Sequence, residues 1–413
     1  MYHYPTALLA LILGGGEGTV PDTVVSVTDS AGVRITMSAV SDGGNGSACP
    51  LAETPDMRLA SPASGEWTLF RVEDLDRMDD GRLVVLNRGS HELFVFGQDG
   101  QFLQSLGRQG EGPGEFIDPI EFDFVASDSI IVWDWGLGRI VLFGPDLSHE
   151  RSVRLEPPAP NPTGRLGVLG RGTIVLGSHD LRRFEAQQLT PQFLQVLRYD
   201  WSGRLIDTLA TLPYGERGWV DRESRMAGGP LFESRGVFST RGDLLYMSDG
   251  RSPEVRIHRG IQLESIVRWE PGDLSVRKED VEAFGADYLA PRPGDDERAS
   301  RLRGRLNPVQ LRRKRLDVLP VKDRFPAVTE IQIDDQDRMW IRAFTRPTAT
   351  ATEWLGFTAT GAFMCSLSVP KALTVFRFDS SAVVAVHRDE ADVESVEVRS
   401  FRVPSATARK DAR

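Results

Sequence analysis

Apolar residues along this chain fall in short runs rich in β-branched and aromatic side chains, each bounded by Gly, Asp, Ser or Asn. Runs at 83–86, 93–96, 130–133, 140–143, 173–176, 244–247, 339–341 and 382–386 are too short for helices and predict strands. Several follow a turn-like pair: Asp80-Gly81, Asp128-Ser129, Arg171-Gly172, Arg241-Gly242, Asp337-Arg338 and Ser380-Ser381. With the second residue of each pair as marker, the spacings are 48, 43, 70, 96 and 43 residues, a base period in the forties with two enlarged members. A second turn recurs at Asp99-Gly100, Asp146-Leu147, Ser202-Gly203, Arg259-Gly260 and Thr360-Gly361, so each unit reads strand, turn, strand, connection, strand, turn, strand.

A four-stranded unit of that period is a propeller blade, and six units predict an all-β, six-bladed β-propeller. The sixth unit runs out after Val403 without a second turn, while the N-terminus carries an orphan hairpin at 24–37 (VVSVTDSAGVRITM). That N-terminal segment is expected to close the last blade, which removes the exposed edges of an open array. The longest gap contains helix-favouring, charged sequence, VRKEDVEAF and LRRKRLDVL, and predicts a helical insertion over 276–320 between blades 4 and 5. A smaller excess falls near 181–193. Both are placed to cover a binding mouth, since loops on a rigid scaffold often carry function. The propeller is expected over 21–404, with 1–20 as an export segment or disordered N-terminus and 405–413 as a disordered tail.

The stretches VFGQDGQFLQSLGRQGEGPGEFIDP (95–119) and VTEIQIDDQDRMWIRAF (328–344) resemble the strand-turn-strand, Gly-rich link and "aspartate, turn, aromatic strand" patterns of bacterial six-bladed β-propeller proteins related to the NHL repeat family. The resemblance runs from about Thr23 to Val403 and implies the propeller fold; the third, fourth and sixth units lack the full Gly-rich link. It implies little about activity, because this architecture hosts scaffolds, ligand receptors, lactonases and lyases alike.

Composition narrows the partners. With 49 basic against 59 acidic residues, the formal charge is −10, which opposes binding to a nucleic-acid backbone. The basic run 298–315 (RASRLRGRLNPVQLRRKR) follows Asp295, Asp296 and Glu297 and contains no aromatic residue, so a solvated helix is expected there rather than an NHL-type RNA site. The apolar run 7–13 (ALLALIL) is too short to span a bilayer, so no integral membrane segment is expected. Its short apolar stretch followed by small residues points to export to the periplasm or cell envelope, although no Lys or Arg precedes it. Cys49 and Cys365 are too few for a disulfide framework or a thiolate zinc site, and a bridge between them stays open. A monomer is expected.

The most ligand-like motif is SLGRQGEGPGEF at 105–116. A P-loop would need Lys and Ser or Thr after its last glycine, where Gly114 is followed by Glu115 and Phe116. Gly110, Gly112 and Gly114 are therefore read as structural, permitting a tight crossover from one blade to the next, with Phe116 as a plug between blades. The histidines share no register, which argues against an imidazole ring around the axis. Carboxylates do share one: Glu73, Glu121 and Glu330 each lie eight residues before a marker, at the expected start of an innermost strand facing the channel. The neighbouring offset holds Asp74, Arg165 and Arg235, so a shift of one residue brings arginines into the same mouth. The expected function is a non-enzymatic, extracytoplasmic binding or scaffold propeller that recognises a small ligand, glycan or protein through Glu73, Glu121, Glu330, Arg165 and Arg235. No catalytic residue and no cofactor is assigned on that reading. The alternative, implied by the likeness to lactonases, is a hydrolase in which the three glutamates hold calcium, a cation suited to clustered carboxylate oxygens.

Overall fold

In a computed structural model of the chain, residues 24–40, 48–125, 128–159, 162–170, 173–180, 189–221, 226–292 and 307–404 are described. The expected segments at 1–20 and 405–413, and the first half of the basic run, 298–306, lie outside them. Six antiparallel sheets follow one another in the sequence: blade 1 at 72–106, blade 2 at 119–154, blade 3 at 162–228, blade 4 at 237–269, blade 5 at 330–370 and blade 6 from 373 to 400. The innermost strands, Val72–Arg77, Pro119–Val125, Pro162–Leu169, Val237–Arg241, Glu330–Ile333 and Leu373–Phe378, each contact the next, and the sixth contacts the first. The ring is closed.

Middle strands such as Leu83–Asn87 and Ala382–Arg388 are buried almost throughout because each blade is covered on both faces by its neighbours. The apolar core is accordingly divided into six clusters, each shared by two adjacent blades. Phe116 is fully buried in the cluster between blades 1 and 2, beside Phe122, Val132 and Phe143. The Gly-rich link carries the chain from the outer strand of blade 1, Phe102–Leu106, to the inner strand of blade 2. Gly107 has φ +82° and a Cβ there would stand 2.3 Å from the Phe116 ring, so no other residue fits that step. Arg139 fastens the link by donating to the carbonyl oxygens of Glu111, Gly112 and Glu115 at 3.1, 2.8 and 2.8 Å.

The strand that completes blade 6 is Met57–Ala60, antiparallel to Glu394–Ser400. The hairpin at 24–37, expected there, docks elsewhere: Val33–Ser38 pairs in parallel with Gln262–Trp269, the outer strand of blade 4, and widens that sheet to six strands. Ser38 and Thr36 donate to the carbonyl oxygens of Gly361 and Thr360 on blade 5, which holds the hairpin in place. Cys49 and Cys365 form a disulfide with their Cα atoms 5.6 Å apart, tying the segment ahead of the closing strand to the outer strand of blade 5.

The long gaps are filled as follows. Between blades 4 and 5 stand two helices, Lys278–Leu289 and Pro308–Val318, the second capped by Asn307 and Gln310 reciprocally. In blade 3 the strands themselves are long, up to 17 residues in Leu205–Asp221, and Met226–Gly228 folds back as a fifth strand; 181–188 lie outside the described residues. Among the described residues, no helix is long and apolar enough to cross a membrane.

Candidate functional site: the charged mouth of the channel

Inner strands are sheet edges, and their channel-facing N–H groups have no further strand to pair with. Carboxylates satisfy several of them across the blade boundary. Asp74 accepts from Phe122 N at 3.1 Å, Glu121 from Leu166 N at 2.7 Å and Asp123 from Val168 N at 2.9 Å, so blade 1 is stitched to blade 2 and blade 2 to blade 3. Asp74 and Asp76, Glu121 and Asp123, and Glu330 and Gln332 are pairs two apart, which strand alternation turns to the same side.

Three arginines enter this ring of acids. Arg377 of blade 6 places Nε 3.0 Å from Asp76 and Nη2 3.3 Å from Asp74. Arg165 of blade 3 reaches across to Glu330 at 3.4 Å, and Arg342 holds the other Glu330 oxygen at 3.2 Å. Gln332 donates to Glu330 at 2.8 Å, while its own Oε1 is buried without a hydrogen-bond partner. The mouth is a cavity of about 350 Å³ lined by Glu73, Asp74, Glu121, Arg165, Glu330 and Arg377, with Tyr214 and Phe376 among its walls. A narrower space of about 110 Å³, lined by Asp76, Asp123 and Gln332, continues from the shared Glu121, Arg165 and Arg377.

Burial pushes the Asp74 carboxyl up to about 6 against the pull of Arg377, and does the same to Asp123. It drives Glu121 well above the usual carboxylate range, with Arg165 opposing. Burial would raise Glu330 as well, yet Arg165 and Arg342 hold it below its ordinary value. The mouth therefore combines an ionised carboxylate between guanidinium groups with carboxyls whose protons burial holds more tightly than in a free chain. It offers hydrogen-bond donors and acceptors side by side.

Of the residues singled out in the sequence, Glu121, Glu330 and Arg165 meet in this cavity. Glu73 lines it but turns to Arg88 at 3.2 Å, which also binds Asp118; the next residue, Asp74, is the one stitched into the channel. Arg235 does not join them. It pairs with Glu233 at 3.1 Å and lies over the Tyr214 ring at 5.3 Å, outside the mouth. The three glutamates are each taken by a separate partner, and among the described residues no group of three or more His, Cys, Asp or Glu side chains is placed to hold a metal ion. Asp76, Asp123, Arg342 and Arg377 were missed, although the two-residue alternation Asp74, Asp76 and Glu121, Asp123 is visible in the sequence.

Residues 67–156, spanning blades 1 and 2, match a family described as a 6-bladed beta-propeller. No curated protein matches the chain. Among solved structures, a protein from Bacteroides fragilis is 12% identical, with 90% of this chain and 99% of that one covered and a TM-score of 0.48. A member of the duf4221 family from Bacteroides vulgatus is 10% identical, with 87% and 99% covered and a TM-score of 0.48. A gluconolactonase from Xanthomonas campestris is 13% identical, with 87% and 99% covered and a TM-score of 0.42. The matched family description and the closed ring of six sheets identify the fold: the chain is a six-bladed β-propeller.

Proposed function

We propose that this propeller is a non-enzymatic receptor whose channel mouth holds a small hydroxyl-rich ligand of the glycan class. The observation that carries the reading is the mouth cavity itself, where Glu330, Arg165 and Arg342 stand opposite the raised carboxyls of Asp74 and Glu121. A sugar hydroxyl both donates and accepts, and this wall supplies partners for both roles. At about 350 Å³ the cavity falls within the range of small-molecule sites. Its carboxylates are anchored by N–H groups of neighbouring blades, which gives a rigid recognition surface. The disulfide supports an extracytoplasmic setting, since such bridges persist in oxidising compartments.

Titration calorimetry with glucose, galactose, mannose and maltose tests the ligand class. One-site binding of at least one sugar is expected, weakened roughly tenfold in Arg342→Gln, the loss of about one charge-assisted hydrogen bond. Absence of binding across the panel, or binding indifferent to Arg342→Gln and Tyr214→Ala, would overturn the reading. Recovery from the periplasmic or envelope fraction with no free thiol tests the setting.

A further inference from the structure

A second cavity, of about 610 Å³, opens on the same face of the disc between the helical insertion and the crossovers that flank blade 5. Its walls are apolar and aromatic: Phe232, Phe284, Phe344, Pro326 and Val328. Phe232 packs edge-on against Phe284 at 5.5 Å, Phe325 at 4.9 Å and Phe344 at 5.8 Å. The roof is fixed. Arg346 donates to the buried Asp280 at 2.8 Å and to Ser275 O at 3.1 Å, while Leu231 N bonds Pro320 O at 2.7 Å. Arg342, Thr329 and the Arg235–Tyr214 stack stand between this cavity and the channel mouth.

Two features point to an occupant. Phe232 sits at φ +60°, a left-handed conformation that a bulky side chain rarely adopts and that is found at ligand clamps. The rim also carries four charges, of which Glu233 and Arg235 neutralise each other at 3.1 Å. The remaining two, Lys371 and Asp287, are exposed, and among the described residues neither has an ion-pair partner; Lys371 Nζ reaches only Pro347 O, at 3.3 Å. Aromatic walls call for an apolar body, and a cation and an anion left unpaired among the described residues call for a molecule bearing both charges.

We propose that this cavity is a binding site for an apolar zwitterion of the amino-acid or dipeptide class. The side chains lie against Phe232, Phe284 and Phe344, the carboxylate on Lys371 and the ammonium on Asp287. The site is separate from the channel mouth and does not depend on what that mouth binds.

The probe is the dipeptide Phe-Leu, with its N-acetyl and C-amide forms, titrated calorimetrically into the full chain. One dipeptide per protein is expected. Amidation of the carboxylate or Lys371→Gln weakens binding about tenfold, and combining the two adds little further; acetylation of the amine and Asp287→Asn behave in the same paired way. Both substitutions are at exposed positions and leave the fold intact, and Thr345→Trp, which fills the cavity, abolishes binding. Failure of Phe-Leu to bind, equal affinity of either capped form, or binding that survives Thr345→Trp in a folded protein overturns the proposal.

Discussion

Arg377 is the cation on which the acidic side of the channel depends. Its guanidinium lies 3.0 Å from Asp76 and 3.3 Å from Asp74, and Glu121 and Asp123 also feel its charge. Arg377→Met keeps the apolar stem and removes the charge, leaving four carboxyls to face one another. Breaking a fully buried pair by removing one partner costs about 3–5 kcal/mol. The Arg377 side chain is 24% exposed, so the lower end, about 3 kcal/mol, is expected at pH 8. The pH dependence follows from Asp74, whose carboxyl titrates at 3.8 in a free chain and about 6 in the folded one. A group raised in this way favours the folded state below pH 4, and that contribution is lost as pH rises through 6. Without Arg377 the Asp74 and Asp123 carboxyls rise further and stay protonated at pH 5, where the repulsion disappears. The loss at pH 5 should therefore be only about 1 kcal/mol. Urea unfolding followed by the fluorescence of buried Trp133, Trp340 and Trp354 at the two pH values measures it. An equal loss at both, or a larger one at pH 5, would refute the account of the channel as an arginine-neutralised acid ring.

Phe116→Ala should cost about 3–5 kcal/mol, because the ring is fully buried between blades 1 and 2 and the rigid Gly-rich link cannot collapse into the space; an unchanged urea midpoint would contradict this. Dithiothreitol should lower the unfolding midpoint of the native chain and leave that of Cys365→Ser unmoved, the disulfide spanning 316 residues being worth on the order of 5 kcal/mol through loop closure. Asp280→Asn removes the buried partner of Arg346 and should speed tryptic cleavage within 298–315, with the propeller's own midpoint little changed; equal cleavage rates would show that the insertion is held by its other contacts.

The repeat was legible because a propeller buries its middle strands on both faces, so runs such as Leu83–Asn87 and Ser129–Asp134 stand out as continuous apolar segments at a steady period. Which edge each remaining strand pairs with was not. The hairpin at 24–37 has the turn and the β-branched pattern, yet pattern specifies a strand and not its partner. Met57–Ala60, with four residues and no flanking repeat, gives almost no signal, although it closes the ring. Among the channel residues Glu121, Glu330 and Arg165 were found, and Glu73 was chosen over Asp74 for a different reason. Counting back from the first turn of each unit assumes that the markers are equivalent positions, whereas Asp74 pairs with Leu86, Glu121 with Trp133 and Glu330 with Arg342, and Gly81 lies one residue nearer to Asp74 than Ser129 and Arg338 lie to their glutamates. That one-residue difference between markers is how Asp74 takes the place reckoned for Glu73, which itself falls within the register shift between Val72 and Asp74. The surer guide is local alternation, since residues two apart on one strand face the same way whatever the register of the pairing. Even that rule cannot find Arg377, which meets Asp74 and Asp76 across 303 and 301 residues of chain. Its role exists only once the sixth blade lies against the first, so the site's charge balance is a property of ring closure.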